Sequence, residues 1–397
     1  MEATKRVKNI APSLTLEITA KAKKMKAEGI SVIGFGAGEP DFNTPDYINE
    51  AAKKAIDIGF TKYTPASGMP ELKKAVCAKF KKDNDLDYTE DQIVISSGAK
   101  SSLYHAIEAI VEEGDEVLLP SPYWLTYPEL IALAGGRTVY VPAAKEQGYK
   151  VTADDLRRAA TAKTKALIFN SPNNPTGAVY TKEEIAAIAK FVEESGIYVI
   201  SDEIYEKLVY GGAKHYSIAQ FGEKVKEQTI VVNGVSKTYS MTGWRIGYLA
   251  APKDIAKAID SFQSHATSNP CSVSQYATLK ALNSPEAAVE EMVARFARRR
   301  IAMVERISEM KDAYCIIPEG AFYAMLVVSG VYGKKFGSRV INNSVDFADT
   351  LLDAAKVAVV PGAPFGADDC VRISYSLSME DMLEGLNRID AFLSSLE

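Results

Sequence analysis

Short apolar runs, separated by longer stretches with helical spacing, dominate the middle of the chain. The runs at residues 92–95, 116–119, 166–169, 198–200, 229–232 and 246–250 are short and mostly apolar, as strands buried on both faces are. Between them Leu103, Ile107 and Ile110, and then Ile185, Ile188, Phe191 and Val192, recur at intervals of three and four residues. That spacing predicts helices with one apolar face. Strands alternating with helices in this way predict an α/β domain with a mostly parallel central sheet. The charged stretch 284–311, carrying Arg295, Arg298, Arg299 and Arg300, has a helical pattern and leads out of this unit. A second, smaller α/β unit is expected beyond it, with strands at 357–360 and 371–374 and a closing helix over 379–393. No internal repeat, low-complexity tract or long linker is evident.

With 397 residues, 47% hydrophobic and 24% charged, the chain has the make-up of an ordinary globular protein with room for more than one domain. A formal net charge of -5 gives no support to nucleic-acid binding. Cys77, Cys271, Cys315 and Cys370 are far apart and form no CxxC pair, which fits a reduced cytoplasmic protein better than a disulfide framework or zinc site. His105, His215 and His265 are equally scattered, so no metal centre is expected. Lys5, Arg6 and Lys8 precede no long apolar run, so neither a signal peptide nor a spanning helix is expected.

Candidate chemistry gathers after the expected strands. Lys237 and Arg245 lie in VSKTYSMTGWRIGY, just past the run at 229–232. Desolvation beside a dry core opposes the charged form of a lysine, and the amine so freed is a nucleophile suited to a Schiff base with an aldehyde. An arginine among Gly243, Trp244 and Gly247 can hold phosphate bidentately. Amine and phosphate clamp together point to pyridoxal 5'-phosphate, PLP. SSGAKSS at 96–102 sits between a strand and a helix, where free N–H groups and a lysine make an anion cradle; an ordinary Ser-capped helix is the plainer reading. GFGAGEPD at 34–41 has the wrong glycine spacing for a dinucleotide site and reads as a turn that lets backbone approach a small ligand. NSPNNPTG at 170–177 is dense in turn formers, and Asn174 could add a side-chain donor. Asp202, at a strand end in SDEIY, could pair with a protonated ring nitrogen or simply cap a helix, and Tyr205 could donate to a phenolic oxygen. Arg372 lies inside an apolar strand and needs a partner, either a substrate carboxylate or a structural salt bridge. In open α/β sheets ligands bind beyond the carboxyl ends of the strands. Residues 98–100, Asn174, Asp202 and Lys237 all follow strand ends, so one shared site is expected.

NSPNNPTG, SDEIYE, SKTYSMTGWRIGY and VRISYS occur in that order across nearly the whole chain. Together they resemble the class I aminotransferases of PLP fold type I, specifically the bacterial aspartate aminotransferase branch. The resemblance implies an N-terminal arm and part of a small domain over 1–45, a large PLP-binding domain over 46–285 and a C-terminal small domain over 286–397. It implies that Lys237 forms the internal aldimine with PLP and later shuttles the proton. Asp202 would keep the pyridine nitrogen protonated, while Tyr205 and Asn174 would hydrogen-bond the phenolate oxygen and Trp124 would stack on the ring. Gly98, Ala99, Ser236 and Arg245 would hold the phosphate. Tyr63 would reach the phosphate of a neighbouring subunit, which makes a homodimer with shared sites part of the expectation. Arg372 would grip the substrate α-carboxylate, with backbone at Gly38 as a second contact.

Substrate choice turns on a second cation. Animal-type aspartate aminotransferases use an arginine from the partner subunit for the distal carboxylate, and the region here, HATSNP at 265–270, offers only neutral groups and His265. The bacterial branch uses a lysine in the cradle loop, which Lys100 matches; a further phosphate contact or a solvated lysine are its other readings. A cation facing the side-chain carboxylate favours aspartate and glutamate. The expectation is a ping-pong transfer from L-aspartate to 2-oxoglutarate. Its rivals are an aspartate/prephenate or aromatic amino acid aminotransferase, a C–S lyase on the same fold, and a non-catalytic PLP-binding regulator. Closure of the N-terminal segment near 13–18 over the site is left open.

Overall fold

A computed structural model describes residues 2, 4–8, 10 and 14–397. Seven strands form the main sheet: β1 Ile93–Ser96, β2 Glu116–Ser121, β3 Arg137–Pro142, β4 Thr164–Asn170, β5 Tyr198–Asp202, β6 Thr229–Gly234 and β7 Gly247–Ala250. Their spatial order is β1-β7-β6-β5-β4-β2-β3. Pairing is parallel from β6 through β5, β4 and β2 to β3, and β7 runs antiparallel to both its neighbours. The mostly parallel sheet expected from the hydrophobic pattern is therefore present. Its alternation is visible residue by residue. Ala166 and Ile168 of β4 pack with Leu103, Ile107 and Ile110, whereas Leu167 and Phe169 pack with Ile185, Ile188 and Val192 on the other face. Both faces are covered, so these strands read as uninterrupted apolar runs.

β3 was not expected. It lies at an uncovered edge of the sheet, so its pattern is mostly exposed and carries Arg137, whereas β1 at the other edge is buried. The helices Ala99–Ile110 and Lys182–Ser195 stand where the periodicity places them. So does the long helix Ala287–Ser308, whose Met292, Phe296, Met303 and Ile307 face the second core.

That core surrounds a four-stranded antiparallel sheet of β8 Tyr314–Cys315, β9 Tyr323–Val327, β10 Val360–Pro361 and β11 Cys370–Ser374, ordered β10-β11-β9-β8. The single strand expected over 357–360 is two. Val357–Ala358 pairs in parallel with Ile33–Gly34, and the chain then turns to place Val360–Pro361 beside β11. Because Ile33–Gly34 is held in this way, the segment that follows runs from Phe35, whose carbonyl accepts from Ser374 N–H at 2.9 Å, into the space beyond the main sheet. Met379–Ser394 is the closing helix. Ser13, in the segment considered for closure, lies outside the described residues; a helix is described from Leu14 to Ala27. Among the described residues no helix is long and apolar enough to cross a membrane.

Candidate active site

The carboxyl ends of β1, β2, β4, β5 and β6 lie at one edge of the sheet, and antiparallel β7 begins there. The chain leaves β1 at Ser96 and turns through Gly98 into the helix that starts at Ala99. Gly98 is the residue before that helix, has φ +89° and makes no side-chain cap, so the Ser-capped reading is replaced by open backbone. The first N–H groups of such a helix have no partner within it and favour an anion. Arg245 lies directly over this turn: a Cβ on Gly98 would come within 2.4 Å of its Nη2. Gly247, at the start of β7, backs the same turn, since a Cβ there would lie 2.2 Å from Ala99 N. Two glycines thus let a guanidinium and a helix start meet. Arg245 has φ +58° and its Nη1 donates to Thr242 O at 2.9 Å, which fixes the guanidinium.

Lys237 follows β6 after Ser236, which is buried. Its Nζ donates to Gly38 O at 2.5 Å and lies 6.0 Å from the ring centre of Tyr205 and 5.8 Å from that of Phe322. Burial pulls its pKa down to about 8, against the opposing pull of Glu39, and Arg372 and Arg245 add to the lowering. The N-terminal segment therefore brings the Gly38 carbonyl oxygen to the lysine amine.

Asp202 ends β5 opposite Asn170 of β4. Burial raises its carboxyl to about 6, even though Tyr127 Oη donates to its Oδ2 at 2.7 Å and Ile204 N–H to its Oδ1 at 3.2 Å. Tyr127 is fully buried on the helix Thr126–Leu133. Sequence reasoning missed it; the only available signal was an aromatic residue three positions beyond Trp124, on the same short helix approach. Asn170 Nδ2 holds the carbonyl of Asp202 at 2.9 Å, and Asn170 Oδ1 accepts from Asn174 N–H at 2.9 Å. That pair of bonds carries Asn174 toward Arg372.

Arg372, on β11, crosses from the second sheet. Its Nη1 donates to Asn174 Oδ1 at 3.1 Å and its Nη2 to Gly36 O at 3.2 Å. Its guanidinium lies over Tyr323 and Phe365, at 4.4 and 5.1 Å from the ring centres. Nε is buried with no partner, and no carboxylate lies within ion-pair distance among the described residues. Burial lowers its pKa, and the structural salt bridge considered for it is not formed. Tyr323, also missed from sequence, shares a 3.1 Å bond with Tyr205 Oη. Trp124 stands half-buried after β2, with Lys100 Nζ 4.9 Å from its ring centre. Burial and the charge of Arg245 lower the Lys100 pKa. Tyr63 is the one expected site residue set apart from this cluster. Its side chain is 89% exposed.

The arrangement offers an amine of lowered pKa, a buried carboxylate, a guanidinium over a helix start and a second guanidinium with a free N–H. The family model for aminotransferase class I and II matches residues 30–389. The aspartate aminotransferase of Bacillus sp. strain YM-2 is 52% identical over 388 residues, 98% of each chain. The probable aspartate/prephenate aminotransferase of Aquifex aeolicus is 50% identical over 393 residues, again 98% of each. The solved aspartate aminotransferase from Rhizobium meliloti superposes with a TM-score of 0.97 at 41% identity over the whole of both chains. That from Thermus thermophilus with maleate gives 0.93 at 40%, covering 98% of this chain and 99% of that one. The chain belongs to the class I and II aminotransferases and is a PLP-dependent transaminase.

Proposed function

We propose that this enzyme moves the amino group of L-aspartate to 2-oxoglutarate, and that the residues gathered at the sheet edge divide the work as follows. The observation that carries the reading is the buried Arg372 Nε, unpartnered and within a site that also holds Lys237 and Asp202. A donor left dry is costly, and a ligand carboxylate would remove the cost.

PLP fits these residues. The turn of Gly98 and Ala99 with Ser236 and Arg245 would take its phosphate, Trp124 would cover a ring face, Asp202 would meet the ring nitrogen, and Asn174 and Tyr205 would meet the phenolic oxygen. When bound, PLP supplies an aldehyde carbon that takes up amino groups and a ring that accepts the electrons of a broken Cα–H bond. Lys237, with a pKa of about 8, presents a useful fraction of free amine near neutral pH, first as nucleophile and then as the base that holds a proton at Nζ. Asp202 stabilises positive charge at the ring nitrogen, and its bond from Tyr127 favours the ionised carboxylate needed for that. Arg372 and the Gly38 backbone orient the α-carboxylate.

Lys100, above Trp124 at the mouth, would meet the distal carboxylate of aspartate. The names of the relatives support an acidic donor, and the Thermus thermophilus structure carries maleate, a four-carbon dicarboxylate. Relatives named aspartate/prephenate aminotransferase favour a second acceptor, prephenate, on the same donor half-reaction. Tyr63, exposed on its own chain, would serve the phosphate of a second copy in a homodimer. Cys77, Cys271, Cys315 and Cys370 are free thiols, and a reducing, cytoplasmic setting would keep them so.

The visible spectrum of the PLP-loaded protein tests this in one step. Aspartate alone is expected to bleach the coenzyme band, and 2-oxoglutarate to restore it. A band that neutral amino acids bleach and aspartate does not would remove the acidic-donor reading. Steady-state rates with 2-oxoglutarate and prephenate then separate the two acceptors.

A further inference from the structure

Tyr63 is carried on an arc, residues 62–69, that has no regular structure yet is held by two glutamines, each 0% exposed. Gln275, on the helix Ser272–Leu282, accepts from Met69 N–H at 2.8 Å and donates to Thr64 Oγ1 and Pro270 O, both at 2.9 Å. Gln263, near the end of the helix Lys253–Ala266, donates to Ala66 O at 2.6 Å and to Ile95 O at 2.8 Å. Its Oε1 accepts from Ser96 Oγ at 2.7 Å. Ile95 N–H donates to Ser67 O at 2.9 Å. Gly68, at φ +102°, lies so close to β1 that a Cβ would meet Ile95 Cγ1 at 2.4 Å.

The oxygen and nitrogen of each glutamine side chain are thus engaged, those of Gln275 with the arc and Pro270 and those of Gln263 with the arc and β1. Burying two primary amides is worthwhile only if all their bonds are made, and a set so satisfied admits one geometry. What it holds rigid is a tyrosine that touches little of its own chain. Gln263 also bonds Ser96, the last residue of β1 before the Gly98 turn, so one side chain references the arc to the chain's own anion cradle.

We propose that Gln275 and Gln263 are positioning residues that act through Tyr63 on the coenzyme phosphate of a second copy of this chain. The proposal rests on the role given to Tyr63 above. The arc is ordered in advance for a contact it does not make within its own chain, which spares the dimer the entropy of ordering it on binding.

The test is a double-mutant cycle on PLP affinity, measured by titrating the coenzyme into the apoprotein, with the dimer followed by sedimentation. Tyr63→Phe should weaken PLP binding about tenfold, the scale of one hydrogen bond to a charged group. Gln275→Met, which keeps the volume and removes the bonds, should do the same. The double variant should be no weaker than either single, because both changes remove one interaction. Thr64→Val breaks the Gln275 clamp from the arc side without touching the core, and should repeat the Gln275→Met loss if that variant folds poorly. Additive losses, roughly a hundredfold in the double variant, would overturn the proposal, as would full affinity in both Gln275→Met and Thr64→Val while Tyr63→Phe is weakened. A silent Tyr63→Phe would instead remove the role of Tyr63, and the proposal with it. Dimers that persist in all variants keep the affinity change from being a loss of assembly.

Discussion

The stretch 202–207 has two sides, and they treat buried charge in opposite ways. Asp202 and Tyr205 face the proposed coenzyme site, whereas Glu203, Glu206 and Lys207 face a second polar cluster behind it. On that second side nearly every group is paired. Glu203 accepts from Ser201 Oγ, Ser217 Oγ and His215 Nε2 at 2.8, 2.7 and 3.1 Å. Lys79 bonds Glu206 and donates to Asn84 Oδ1 at 2.8 Å, while Asn84 Nδ2 donates to Glu206 Oε2 at 3.1 Å. Lys207 bridges Asp83 and Glu286 at 2.9 and 3.1 Å. Burial alone would raise the Glu206 carboxyl, but Lys79 and its neighbours bring it below its ordinary range. His215 Nδ1 is the exception, buried without a partner.

On the side of the proposed coenzyme site, Asp202, Lys237 and Arg372 are buried with hydrogen bonds but no ion pair among the described residues. Asp202 is pushed up to about 6, Lys237 down to about 8, and Arg372 Nε has nothing to bond. The metal-like spacing of Glu203, Glu206 and His215, whose ligand atoms lie within 4.8 Å of one another, belongs to the paired side, where the Lys79 ammonium already supplies positive charge to Glu206. Burial by itself therefore does not mark function. A shifted carboxyl, a shifted amine and a buried guanidinium gathered at one sheet edge mark the candidate site.

Substitutions on each side should separate accordingly. Lys237→Ala is expected to lower kcat at least about 10⁴-fold, since it removes both nucleophile and base; near-normal turnover would end the assignment. Lys79→Met leaves Glu206 buried and uncompensated, and should cost about 3–5 kcal/mol of stability. Its kcat per folded molecule should stay near wild type, so denaturant midpoints and rates must move independently. A kcat that fell with the midpoint would merge the two sides. Tyr127→Phe removes one bond to Asp202 at 2.7 Å and should raise the Asp202 pKa further. The acid limb of the kcat/KM profile should then move to higher pH, with roughly a tenfold loss at its plateau; an unmoved limb would make Tyr127 a packing residue.

The smallest effect concerns the apoprotein. Lys237 titrates at about 8 when folded and about 10.5 when unfolded. Between those values the unfolded chain binds more protons, so stability rises with pH there, and the strain of the buried ammonium is fully present below pH 8. Lys237→Met should accordingly gain about 2 kcal/mol at pH 7, the shift discounted for partial exposure. That advantage should fade toward pH 10.5. A gain independent of pH would assign it to packing instead.

Much of this could be read from residue order. Each expected strand of the main sheet is present within a few residues, because both faces are covered and the runs carry no polar interruption. β3 escaped because it lies at an uncovered edge, half-exposed, and looks like a loop with Arg137 in it. The run at 357–360 was found but misread as one strand, since apolar content cannot say which sheet each half will join. The residues that the fold gathers at the sheet edge were legible because glycine turns, prolines and charged groups stand out at the ends of apolar runs. Tyr127, Tyr323, Gln263 and Gln275 were not legible: each is an ordinary polar or aromatic residue inside a helix or strand, and its partner is distant in the chain.

The sequence by itself determined the α/β class, the family and the set of side chains that gather at the carboxyl edge of the sheet. Those depend on periodicity, turn chemistry and motif order, all of which act between near neighbours in the chain. Only the tertiary structure decided that Tyr127 bonds Asp202 across 75 positions, that Arg372 crosses from the other sheet to Asn174 with one N–H to spare, and that Gln275 holds Met69 across 206. Such bonds form where two elements meet, and the meeting is set by the packing of both cores rather than by anything local to either residue.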